Sequence, residues 1–274
     1  MRKIDTYERF HRHIKAWAAR EIESLVVLGK PGLGKSWAAR TALADTPYHL
    51  FSARLTPIEV YNRLYDNPDW PVVFDDVSAL MRDSNFIDML KNLCEAGPAT
   101  VRWNTSTDKL EGREKSFRCT SPVLILLNKI PEKNPDVKAI LDRCDNILFE
   151  PSKSEVIGYI RQNFPQDGEL IDLLAELPVL PSVRTLIKAR QWRNSAYLSL
   201  TEELFSECGV PDPVVHLVEI MQGCRESEWC QGYVEATGLT DRTYRRHKAI
   251  ATEIISCQGG QTDIGLGMRS TRAA

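Results

Sequence analysis

Apolar residues along this chain fall into two kinds of pattern. Between residues 21 and 150, short runs in which nearly every side chain is apolar alternate with stretches whose apolar residues return every three or four positions. The runs Leu25 to Leu28, Tyr48 to Ser52, Val72 to Phe74, Val123 to Leu127 and Asn146 to Phe149 predict strands, and the stretches between them predict helices. Such alternation gives a mainly parallel sheet covered by helices on both faces, with ligands bound beyond the carboxyl ends of the strands. Ahead of this block, Tyr7, Phe10, Ile14 and Trp17 recur at helical spacing. Residues 1–20 are therefore expected to form an amphipathic helix, capped by Asp5 and packed on the core.

After Pro151-Ser152-Lys153-Ser154 the period becomes helical throughout, and Ser152 or Ser154 can cap a helix beginning near Glu155. Residues 151–207, broken by Pro165, Pro178 and Pro181, predict a small all-helical subdomain. Residues 208–257, opening near Pro211-Asp212-Pro213, predict a third, helical unit. Residues 258–274 contain Gly259, Gly260, Gly265 and Gly267 with few apolar side chains, and are expected to be disordered. No internal repeat is visible.

Composition narrows the class rather than the function. The chain has 274 residues, 43% of them apolar, and a net charge of -2, so a sizeable core is affordable and the global charge argues neither for nor against a nucleic-acid partner. Its seven cysteines are scattered and never spaced C-x-x-C, which fits a reducing cytosol and offers no zinc site. His11 and His13 stand two apart, on different sides of the expected helix, and read as surface residues. No apolar stretch approaches a secretory or membrane-spanning segment, so a cytoplasmic protein without membrane association is expected.

The strongest chemistry lies at the end of the first predicted core strand. Gly29-Lys30-Pro31-Gly32-Leu33-Gly34-Lys35-Ser36 fills every fixed place of the phosphate-loop pattern G-x-x-x-x-G-K-[ST], between the apolar run Leu25 to Leu28 and a helix opening at Trp37-Ala38-Ala39-Arg40. Glycines let backbone N–H groups curl around a polyphosphate, and the helix N-terminus adds partial positive charge. Lys35 can reach the outer phosphates and the Ser36 hydroxyl can ligate Mg²⁺. About forty residues on, Val72-Val73-Phe74-Asp75-Asp76 is a short strand ending in two carboxylates. Asp75 can hold the Mg²⁺ hydration shell and Asp76 can polarise an attacking water. Ser121 to Asn128 is a further buried strand with a polar residue at its tip. Asn128-Lys129 begins the guanine motif N-K-x-D, but Pro131 occupies the place of its Asp, which disfavours guanine.

On these motifs, residues 21 to about 207 resemble an AAA+ ATPase module. Gly29 to Ser36, with Trp37 following, match its Walker A motif, Val72 to Asp76 its Walker B, and Asn128 its sensor-1 position. Arg143 in Asp142-Arg143-Cys144 is similar to the arginine finger of clamp-loader-like members, and Arg184 in Pro181-Ser182-Val183-Arg184 to the sensor-2 arginine. The resemblance implies an α/β fold, the P-loop NTPase αβα sandwich with a parallel five-stranded sheet and a helical lid. It also implies ATP and Mg²⁺ as cofactors, with catalytic roles for Asp76, Asn128, Arg143 and Arg184, and a homo-oligomeric ring or helical filament. One departure stands out: most members carry Asp-Glu where this chain has Asp75-Asp76, so the presumed base is one methylene shorter and turnover is expected to be slow.

Two further features concern what such a module acts on. Val101-Arg102-Trp103 and Ser116-Phe117-Arg118 read as hairpin arms, joined by Asn104 to Lys115, and the placement resembles the insert of helicase-like AAA+ members, where Lys109, Arg113 and Lys115 could meet phosphates; Asp108, Glu111 and Glu114 dilute that charge, and a plain solvated loop is the alternative. Tyr233 to Lys248 resembles a helix-turn-helix, with Gly238 in the turn, Leu239 plugging the corner and Thr240 capping the second helix. Arg242, Thr243, Tyr244, Arg245, Arg246 and Lys248 on that helix are the candidate DNA contacts. The reading that unites these features is an ATP-driven assembly acting on DNA, in replication, helicase loading or mobile-element and phage-type DNA handling. Its competitors are a slow ATP-dependent switch governing a DNA or protein partner, a remodeller of protein clients, and a small-molecule P-loop kinase.

Overall fold

A computed structural model describes residues 1–258 except 53–54, 78–79, 104–107, 131–134, 178–179, 196–197, 199 and 208. Of the expected tail 258–274, Gln258 is the last residue of a helix and 259–274 lie outside the described residues, as do Pro131, Pro178 and the stretch 104–107 of the hairpin connection. The chain divides into two units, 1–155 and 156–274.

The first unit contains β1 (Arg2–Ile4), α1 (Tyr7–Ala18), β2 (Ser24–Gly29), α2 (Lys35–Ala42), β3 (His49–Ser52), α3 (Pro57–Asp66), β4 (Val72–Asp75), α4 (Ser84–Leu93), β5 (Ala99–Arg102), β6 (Ser116–Cys119), β7 (Val123–Leu127), α5 (Pro135–Leu141) and β8 (Asp145–Phe149). Six of the strands form one parallel sheet in the order β1-β8-β2-β7-β4-β3. The five apolar runs are strands of this sheet, but the expected count of five is one short. Arg2-Lys3-Ile4 joins the edge beside Ile147, Leu148 and Phe149. Only Ile4 of the three is buried, so the segment shows no apolar run that would betray it.

That extra strand also moves the start of the next helix. With β1 ending at Ile4, the cap of α1 is Thr6 rather than Asp5: the Thr6 hydroxyl accepts from the Arg9 amide at 3.4 Å, while Asp5 lies 3.5 Å from the Arg9 guanidinium. The buried face of α1 is Tyr7, Phe10, Ile14 and Trp17. Phe10 stacks on Phe149 with ring centroids 4.3 Å apart, and Tyr7 meets the same ring edge-on at 5.1 Å. Each such burial is worth about 1.5–3 kcal/mol, enough to hold α1 on the sheet.

The central strands β2 and β7 bury almost every side chain, as both faces of the sheet are covered. On one side Phe51, Phe74 and Phe86 pack together, with ring centroids 5.2 and 5.4 Å apart. Strands β5 and β6 form a separate antiparallel pair. Their inward side chains Ala99, Val101 and Cys119, with Trp103, join the same core cluster. The connection between them folds back on α3: the Tyr61 hydroxyl donates to the Glu114 carbonyl at 2.7 Å and the Asn62 amide to the Lys109 carbonyl at 2.9 Å. Arg113 is gripped at 2.8 and 2.9 Å by both oxygens of Asp66 and at 2.9 Å by Glu111. Its expected role as a phosphate contact is thus corrected, because its donors face carboxylates of its own chain.

The second unit is helical, with α6 (Lys153–Asn163) running across its boundary, followed by α7 (Gly168–Glu176), α8 (Val183–Arg193), α9 (Leu200–Glu207), α10 (Asp212–Gly223), α11 (Trp229–Thr237) and α12 (Asp241–Gln258). Ser152, not Ser154, caps α6, its hydroxyl accepting from the Glu155 amide at 3.2 Å. Helix α8 opens with a reciprocal capping box between Ser182 and Thr185. Asp167, buried ahead of α7, receives Nε and Nη2 of Arg190 from α8 and so ties these helices together. Helix α10 packs against both α11 and α12, burying Val214, Leu217, Tyr233, Tyr244 and Ala251. Among the described residues no helix is long and apolar enough to cross a membrane.

Candidate nucleotide site

Strand β2 delivers the loop to the carboxyl edge of the sheet, and each of its glycines has a different reason to be there. A Cβ on Gly29 would stand 2.8 Å from the backbone oxygen of Phe149, so the close approach of β8 excludes any side chain. Gly32 and Gly34 have φ of +80° and +81°, the left-handed region that other residues enter at a cost. Gly34 caps α2, and the first amides of that helix follow at Lys35 and Ser36. Leu33, 2% exposed, pins the loop into the core, while Lys30 and Pro31 face outward.

Lys35 is 7% exposed. Its Nζ donates to the carbonyls of Gly29 at 2.6 Å and Lys30 at 2.8 Å and to Oδ1 of Asn128 at 3.0 Å. The structure therefore joins the loop lysine directly to the residue at the tip of β7. Because β7 lies between β2 and β4, the ends of three neighbouring strands converge: Gly29 on β2, Asn128 after β7 and Asp75 on β4. Asp75 is half-buried and registers with Leu126 and Ser52. Asp76 is exposed, with φ of +55°, and its amide donates to the Leu126 carbonyl at 3.2 Å. Asp tolerates this conformation better than most side chains, which gives a local reason for Asp over Glu at this position.

Ser36, half-buried at the start of α2, and Asp75 supply a hydroxyl and a carboxylate, hard oxygen ligands of the kind Mg²⁺ takes alongside phosphate oxygens and water. Among the described residues no group of three or more His, Cys, Asp or Glu side chains forms a metal cage. Trp37, next along α2, is 49% exposed, with the His11 ring 6.3 Å from it between centroids. Burial, and secondarily Lys15, holds His11 below the usual imidazole pKa. His11 is thus half-buried, not the open-surface residue its spacing predicts. The signal against this was its position beside Phe10 and four residues after Tyr7, on the flank of the buried stripe.

The two arginines are not gathered at this site by the first unit alone. Arg143 follows α5 and precedes β8, at the amino end of a strand whose carboxyl end meets the P-loop. Five residues of β8 separate the two ends, about 16 Å. The Arg143 Nη1 donates to the Ala139 carbonyl at 2.6 Å and its Nε lies 3.5 Å from Glu95. Arg184 is exposed on α8 of the second unit.

The terminal helices are joined by a short turn in which Gly238 takes φ of +68° and closes α11. Thr240 stands just before α12, its hydroxyl 3.2 Å from that of Thr243, and Leu239 is half-buried. On α12, Arg242 and Arg246 are exposed. Arg245 pairs with Asp241 at 2.8 Å, and Lys248 pairs with Glu226 at 3.1 Å while lying over the Trp229 ring. Tyr244 is corrected from DNA contact to core residue: it is 7% exposed and packs against Tyr233, whose hydroxyl is hydrogen-bonded to His247 at 2.8 Å.

No family model matches the chain, and no curated protein matches its sequence. Among solved structures it is similar to the Holliday junction branch migration motor RuvB of Thermotoga maritima, with 11% identity, 93% of this chain and 88% of that chain covered, and a TM-score of 0.47. A lysine-to-arginine mutant of the same motor is similar at 11% identity, 92% and 86% coverage, and a TM-score of 0.46.

Proposed function

We propose that the chain is an AAA+ type ATPase that takes ATP with Mg²⁺, hydrolyses it between copies of itself, and couples that cycle to DNA. The observation that carries the reading is the Lys35 ammonium, buried at the mouth of α2 and aimed by two loop carbonyls and Asn128. A desolvated cation beside the first amides of a helix is a site for a polyanion. Ser36 and Asp75 would hold Mg²⁺, which when bound neutralises developing phosphate charge; Asp76 and Asn128 orient water and the γ-phosphate. Arg143, far from its own P-loop, fits a finger offered to a neighbour, and Arg184 fits a sensor in the helical unit. Arg242 and Arg246, with Thr243 between them, support DNA binding by α12.

The test is hydrolysis measured against protein concentration, with and without DNA. Activity per subunit should rise with concentration, and Arg143→Ala should abolish that rise while leaving ATP binding in calorimetry intact. Full turnover in Arg143→Ala overturns the finger, and absence of ATP uptake by the wild type overturns the whole reading.

One observation favours the slow-switch variant of this function. Asp76 is short, exposed and left-handed in backbone, a poor posture for a general base. In single-turnover experiments a switch would lose less than about threefold in Asp76→Asn, whereas a base acting in the chemical step would lose at least a hundredfold.

A further inference from the structure

The β5–β6 hairpin has two faces of opposite character. Ala99, Val101 and Cys119 point into the core, and the alternate positions Thr100, Arg102, Ser116 and Arg118 are all exposed. The register sets Thr100 opposite Arg118 and Arg102 opposite Ser116. Directly opposed residues share a face, so the outward surface is a checkerboard of two guanidiniums and two hydroxyls. The two arginines are diagonal neighbours, about 7–8 Å apart at their origins, a placement that sets like charges side by side. No carboxylate belongs to this face, and among the described residues neither arginine makes an ion pair. Nearby Arg113 behaves differently, being held by Asp66 and Glu111.

From this juxtaposition we infer that the outer face of the β5–β6 ribbon, through Arg102 and Arg118 flanked by Thr100 and Ser116, binds the phosphodiester backbone of DNA. The inference rests on the proposal that the protein acts on DNA, and it moves the contact from the hairpin connection to the strand face. Charge complementarity selects the occupant. Two planar, permanently charged forks beside hydroxyl donors are the groups that phosphate oxygens accept from, and phosphate and sugar take half or more of the hydrogen bonds at protein–DNA interfaces. Contacts of this kind are independent of sequence and weaken steeply with salt.

The experiment is fluorescence anisotropy with a labelled single-stranded 30-mer and the corresponding duplex, with Mg²⁺ and a non-hydrolysable ATP analogue, over a series of salt concentrations. The proteins are the full chain, Arg102→Ala/Arg118→Ala, Arg102→Lys/Arg118→Lys and Arg242→Ala/Arg246→Ala. The hairpin alanine pair should weaken binding at low salt by at least about tenfold and reduce the slope of log Kd against log salt by about 1.5–2. The lysine pair should retain most of the slope. Comparing the two oligonucleotides assigns the backbone to single-stranded or duplex DNA. All four side chains are exposed, so unchanged melting curves are expected. If the wild type binds DNA and the hairpin alanine pair binds equally well with the same slope, the inference is overturned while the DNA reading stands. If the wild type binds neither oligonucleotide, the DNA reading falls and the inference with it. If the alanine pair alters only the concentration dependence of assembly, the ribbon faces another subunit and the inference is overturned.

Discussion

The P-loop and the terminal helix α12 each gather cations suited to phosphate, and they hold them by different means. Lys35 is buried, and its orientation follows from main-chain carbonyls of its own loop and from a side chain 93 residues away. Arg245 and Lys248 sit at the surface, leaning on Asp241, Glu226 and the Trp229 ring. A desolvated, preorganised cation binds with little reorganisation and little sensitivity to salt, whereas a solvated cation in a local ion pair must first leave its partner. The first arrangement commits its site to one kind of ligand. The second leaves affinity adjustable by ionic strength and by neighbouring acids.

The largest effect that tests this contrast is Lys35→Ala. Two charge-assisted hydrogen bonds to phosphate, at about 1.5–3 kcal/mol each, amount to a loss of about 10²–10⁴ in ATP affinity by calorimetry. Raising salt from low to physiological should change the wild-type ATP affinity far less than its DNA affinity. A Lys35→Ala protein that binds ATP within a few-fold of wild type would mean that the loop amides alone grip the nucleotide, and the contrast would collapse.

Next in size is Tyr244, which separates the packed side of α12 from its solvated side. Tyr244→Ala should cost about 3 kcal/mol in chemical denaturation, as a large buried ring does, and should broaden or split the unfolding of the helical unit. Arg242→Ala, one helix position from the turn but exposed, should leave stability within about 0.5 kcal/mol. If Tyr244→Ala keeps wild-type stability and loses DNA affinity instead, the ring is a contact after all and α10 does not bury it.

What could be read in the sequence divides along the same line between backbone-determined and packing-determined features. Five strands of the sheet show as apolar runs, most cleanly β2 and β7, where burial on both faces leaves little room for polar side chains. The P-loop is legible because two of its glycines are demanded by φ and a third by the contact with Phe149. Strand β1 escaped because one inward residue out of three makes no pattern, and with it went the choice between Asp5 and Thr6, two side chains equally able to cap. The Lys35–Asn128 bond is invisible to spacing, since it depends on β7 lying beside β2. Tyr244 and Arg113 mislead for a shared reason: each carries both a polar tip and a long body, and only tertiary packing decides which end meets solvent.

The smallest effect concerns the ion pair that restrains Lys248. Glu226 is the more exposed partner, 73% against 36% for the lysine side chain, so replacing it by Gln leaves the core untouched and removes one acceptor. Exposed pairs contribute little to stability, and melting curves of Glu226→Gln should overlay those of the wild type in high salt, where the Debye length falls to about 3 Å. Its effect should surface in binding instead. With Glu226 neutral, Lys248 no longer divides its charge between a carboxylate and the ligand, and duplex DNA should bind about two- to threefold more tightly at low salt, the gain vanishing as salt rises. The sign is the useful part, because the same substitution near a buried, preorganised cation would weaken the site by removing its support. A loss of DNA affinity in Glu226→Gln would show that Lys248 is held in place by its acid rather than occupied by it, and α12 would then resemble the P-loop more than it differs from it.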